Sequence, residues 1–152
     1  MTSMTAAHPR RTGHPGYKLT QPRTSTAAAD VRRLVRLALS AWSLETEAEK
    51  ATLLMSELFT NAVRHARGSM VRIVINRPSA DRVYLAVIDL APRRLPELHE
   101  PGPADADGRG LLVVGRLADR WGYDLLGPGA RPWGKRVWAE LKVRLMDGGE
   151  PK

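Results

Sequence analysis

Glu57 and Asn61 are the residues in this chain whose types and spacing are most suggestive of chemistry. They sit in the run Glu57-Leu58-Phe59-Thr60-Asn61-Ala62-Val63-Arg64-His65-Ala66. Four residues on a helix return to nearly the same side, since each step turns about 100°. The spacing therefore places a carboxylate and a carboxamide one turn apart. Leu54, Met55, Leu58 and Ala62 form an apolar stripe beside them, so the pair is expected at the border between core and cleft. Glu57 offers a proton acceptor, and Asn61 an amide oxygen able to bind a hard cation. Together they suit metal-assisted phosphoryl transfer. A pattern this short also fits a solvated helix edge.

The elements that must hold this pair can be read from periodicity. Residues 17–21 predict a short first strand, ended by Pro22. Thr24, Ser25 and Thr26 offer hydroxyls for a helix start. Val31, Leu34, Val35, Ala38, Leu39 and Trp42 then repeat at helical spacing, with Arg32, Arg33 and Arg36 opposite. A break at Ser43-Leu44 precedes a second helix over residues 45–65. Acidic residues open that helix, and Arg64 and His65 close it, as the helix dipole favours. The period then becomes two. Val71, Ile73 and Ile75, then Val83, Leu85 and Val87, predict an antiparallel hairpin turning at residues 78–81. The proline-rich residues 91–107 read as an irregular loop, either a functional lid or disordered. A third helix is expected over 109–120, a strand over 121–126 and a final strand over 134–143. The sum is an α+β fold: a two-layer sandwich of helices on a mostly antiparallel sheet. Residues 1–16 read as a disordered basic tail, 17–145 as one domain and 146–152 as a frayed end.

Three further features bear on a ligand. Asp89 continues the apolar face of Val83, Leu85 and Val87 at a strand end. A carboxylate there needs a donor. An arginine or a backbone amide would serve structurally, and the exocyclic amine of an adenine would serve functionally. Asp107-Gly108-Arg109-Gly110-Leu111 places two glycines at the start of an apolar helix, where free amides suit a phosphate chain or where the glycines simply turn. Gly134-Lys135-Arg136-Val137-Trp138 opens the last strand and reads by itself as a turn glycine on an edge strand.

Composition narrows the class. The chain has 152 residues, 43% of them apolar, enough for one proper core. No run approaches the ~18 apolar residues of a membrane span. There is no cysteine, which excludes disulfides and thiolate metal sites and fits a reducing cytoplasm. The net charge of +8 is scattered along the chain, so it points first to an acidic protein partner and only second to nucleic acid.

Taken in order, Glu57 to Ala66, Val87-Ile88-Asp89, Gly108-Arg109-Gly110-Leu111-Leu112-Val113-Val114, Leu117 to Gly122 and Gly134 to Trp138 resemble the GHKL superfamily of ATP-binding domains. Within it they resemble the single-domain anti-sigma-factor serine/threonine kinases of bacteria. The resemblance implies that Asn61 holds Mg²⁺ against the phosphates of ATP and that Glu57 is the general base on the attacking hydroxyl, or orients it. It implies that Asp89 reads adenine, that Gly108, Arg109 and Gly110 line the phosphate path, and that Ala91 and Leu111 also belong to the nucleotide site. His65 either packs near the nucleotide or only favours the helix dipole. Two positions depart from the family pattern. Ala91 stands where the adenine motif usually has Gly or Ser, and Arg136 where the last strand often has Thr. The implied partners are a sigma factor, which the protein sequesters, and an anti-sigma-factor antagonist, which it phosphorylates. No direct nucleic acid and no membrane are expected, and the resemblance allows a homodimer. A non-catalytic, protein-binding regulator is the alternative reading.

Overall fold

The computed structural model describes residues 3–6, 14–65, 68–92 and 114–144. Six strands form one sheet: β1 (Ser3–Ala6), β2 (Tyr17–Pro22), β3 (Met70–Ser79), β4 (Arg82–Asp89), β5 (Arg120–Leu126) and β6 (Gly134–Lys142). Their order is β1-β2-β3-β4-β6-β5, and every neighbouring pair is antiparallel. Two helices, α1 (Ala28–Ala41) and α2 (Ala48–His65), pack against each other and on one face of the sheet. This is the expected two-layer α+β sandwich.

The helices follow from their apolar stripes. On α1, Val31, Leu34, Val35, Ala38 and Leu39 are buried, and on α2 Leu54, Met55, Leu58, Phe59 and Ala62 are. They meet Ile73, Ile75, Leu85, Val87, Val137, Ala139 and Leu141 from the sheet in one core. α1 stops because Ser43 adopts a left-handed backbone, with φ of 59°. The Leu44 amide then reaches back to the Leu39 carbonyl at 2.8 Å, and the Ser43 amide to that of Ser40 at 3.0 Å. This pairing is a Schellman cap, completed by the buried side chain of Leu44.

Two expectations are corrected. Residues 3–6, read as part of a disordered tail, form β1, which pairs with the otherwise open edge of β2. Strand completion there satisfies backbone groups that the local sequence does not advertise. The third helix does not reach residue 120. Among the described residues the helical stretch is 114–117, and β5 already begins at Arg120. The Asp119 amide donates to the Glu140 carbonyl at 2.9 Å, and the Asp119 carboxylate accepts the Lys142 amide. These bonds draw the chain into the β-ladder and end the helix.

Candidate active site

Glu57 and Asn61 lie on α2, both half-buried, beside the fully buried Leu54, Met55 and Leu58. The border position expected from their spacing is therefore observed. Burial raises the Glu57 carboxyl above its ordinary value. His65 is the last residue of α2, half-buried beside the exposed Arg64.

The end of α2 is fixed from outside. Arg23, just past β2, donates from Nε to the Gly68 carbonyl and from Nη1 to the Val63 carbonyl, both at 2.6 Å. The last carbonyls of a helix lack internal partners, so a guanidinium there both satisfies them and complements the dipole.

α2 packs on β4 and β6. Asp89 is the last residue of β4, two positions beyond the core residue Val87, and thus on the helix-facing side. Leu90 follows it and lies against Gly68, the glycine beyond α2. The strand end bearing Asp89 and the C-terminal half of α2 are therefore neighbours.

Asp89 has partners inside the protein. It is only 2% exposed. Lys135 of β6, its cross-strand neighbour, is 1% exposed and places Nζ 3.0 Å from both Asp89 carboxylate oxygens. The same ammonium donates to the Ala91 carbonyl at 2.8 Å, and the Ala91 amide donates to Asp89 Oδ1 at 2.8 Å. Ala91 is thus tied to the Asp89–Lys135 pair through its backbone. Of the structural donors foreseen for Asp89, the backbone amide is present, and a lysine takes the place foreseen for an arginine.

Lys135 is the residue that sequence reasoning missed. Its parity was a usable signal, since it alternates with Val137, Ala139 and Leu141 and so belongs to the inner face. Gly134 makes the pairing possible. A Cβ on it would stand 2.5 Å from the Asp89 carbonyl oxygen, so only glycine lets β6 approach so closely. It is more than the turn residue expected. Gly108, Arg109, Gly110 and Leu111 lie outside the described residues.

Among the described residues no group of three or more His, Asp or Glu side chains is arranged to hold a metal ion. Asn61, with one amide oxygen on the half-buried edge of α2, is a residue that would help hold a Mg²⁺ brought in with a phosphate ligand. Among the described residues no helix is long and apolar enough to cross a membrane.

The search of curated proteins returned no match. The histidine kinase-like ATPase domain matches over residues 21–140, which takes in α1, α2, β3 to β5 and most of β6. The chain therefore belongs to the histidine kinase-like ATPase family, within the GHKL superfamily.

Proposed function

We propose that this protein is an ATP- and Mg²⁺-dependent serine/threonine kinase of the anti-sigma-factor type, acting in the cytoplasm. It sequesters a sigma factor and phosphorylates the antagonist that competes for it. The observation that carries this reading is the pairing of Glu57 and Asn61 on the open edge of α2, next to the strand end that bears Asp89.

In this reading Asn61 helps hold the triphosphate, and Gly108, Arg109, Gly110 and Leu111 line its path. Bound Mg²⁺ supplies neutralisation of the phosphate charge. Glu57 receives the proton of a serine or threonine hydroxyl on the antagonist. The hydroxyl oxygen bonds to the γ-phosphorus as the bond to the bridging oxygen breaks, and ADP leaves. Such transfer depends on positioning and electrostatics rather than on covalent chemistry by the protein. The scattered positive charge of the chain suits an acidic protein partner.

The test is transfer of labelled γ-phosphate to antagonists from the same organism. Transfer by the wild type that is lost in Glu57→Ala, with ATP binding retained, supports the kinase. Tight Mg-ATP binding without transfer to any antagonist supports a protein-binding regulator instead. One observation favours that second reading: the Asp89 carboxylate is already engaged by Lys135.

A further inference from the structure

Among the described residues, the buried trio of Asp89, Lys135 and Ala91 is closed on itself. An ammonium has three protons, and the three acceptors around Lys135 Nζ are Asp89 Oδ1, Asp89 Oδ2 and the Ala91 carbonyl. Oδ1 also accepts the Ala91 amide, which fills its two lone pairs. Counting partners among the described residues, Asp89 keeps one acceptor position, on Oδ2. Before any ligand arrives, the acid is neutralised and neither charge lacks a partner.

A buried acid discriminates among bases mainly through what happens when the right donor is absent. A pocket built around an unpaired polar group rejects a ligand lacking the matching group by up to ten-thousandfold or more, because the protein group is left orphaned. Here it is not orphaned. An arriving 6-amino group adds one hydrogen bond at Oδ2. A ligand without that group leaves Asp89 bonded to Lys135 and Ala91. A 6-oxo group meets a formally neutral pair rather than a bare carboxylate, so its repulsion is also reduced.

Building on the nucleotide-binding reading above, we infer that Lys135 is a specificity-determining residue that relaxes base selection, so that the site accepts 6-oxo purine nucleoside triphosphates nearly as well as 6-amino ones. Gly134 belongs to the same device, because it admits the backbone approach that brings Lys135 to Asp89.

The test is calorimetric titration of the full chain with Mg-ATP and Mg-ITP, whose bases differ in the 6-amino or 6-oxo group and in the N1 proton that the oxo form carries. The wild type is expected to bind the two within about tenfold of each other. Lys135→Met exposes Asp89 to the base, and the preference for ATP is expected to rise above about a hundredfold. Asp89→Asn/Lys135→Met, which removes both charges, returns the ratio to within about tenfold and serves where the single variant does not fold. An ATP preference above about a hundredfold in the wild type overturns the inference while leaving nucleotide binding intact. So does a folded Lys135→Met protein with the wild-type ratio. Binding of neither triphosphate by the wild type overturns the inference together with the reading it rests on.

Discussion

Gly68 and Leu90 touch: a Cβ placed on Gly68 would stand 2.9 Å from Leu90 Cδ1. This contact joins the end of α2, which carries Asn61, to the end of β4, which carries Asp89. Gly68 holds a positive φ of 85°, where a side chain costs about 1 kcal/mol. Gly68→Ala is therefore expected to lower stability by about 1–2 kcal/mol in urea titration. Arg23 anchors the same corner through the Gly68 and Val63 carbonyls. Arg23→Met is expected to cost about 1–3 kcal/mol and to weaken Mg-ATP binding, since the helix end that positions Asn61 loses its clamp.

The buried pair Lys135 and Asp89 sets a second expectation. Removing one member leaves the other charged in the core. Lys135→Met is expected to destabilise the protein by about 3–5 kcal/mol, and Asp89→Asn/Lys135→Met to recover most of that loss. Equilibrium unfolding of the two variants and the wild type at neutral pH measures both.

Ser43 pays for the turn after α1 with a left-handed backbone. Its neighbours make the same cap whether or not a Cβ is present, because the bonds run from backbone amides to the Ser40 and Leu39 carbonyls. Ser43→Gly is expected to raise stability by about 0.5–1 kcal/mol, seen as a shift of the urea midpoint with unchanged slope.

Glu57 gives a pH dependence with a definite sign. Burial raises its folded pKa above the ordinary 4.5. From 4.5 up to the folded value, the folded protein holds a proton that the unfolded chain has lost. Stability contributed by this group therefore falls as pH rises through that window. Glu57→Gln is expected to remove this part of the slope. The acid limb of the phosphate-transfer rate is expected above pH 4.5, because the base must be ionised to accept a proton.

Much of the fold was legible because its signals are local. The 3.6-residue spacing of Val31, Leu34, Val35 and Ala38 fixed α1, and the break at Ser43-Leu44 is the observed cap. The alternation of Val71, Ile73 and Ile75 with Arg72, Val74 and Asn76 marked β3, and the core face proved as read. Glu57 and Asn61 came from the same periodicity. What was hidden depends on register. Nothing near Lys135 in the chain says that β6 pairs with β4 so that Lys135 stands opposite Asp89. That partner comes from forty-six positions away. β1 was hidden for a related reason, since the unpaired edge of β2 recruits it and no apolar alternation of its own announces it.

The seating of a triphosphate beside Asn61 is tested most directly by calorimetric titration of Mg-ATP into the wild type and Asn61→Ala, with and without Mg²⁺. The wild type should saturate only when Mg²⁺ is present, and Asn61→Ala should bind at least about tenfold more weakly while keeping wild-type stability. Equal binding by both proteins, or wild-type binding indifferent to Mg²⁺, would contradict the assignment of Asn61 and with it the site on α2.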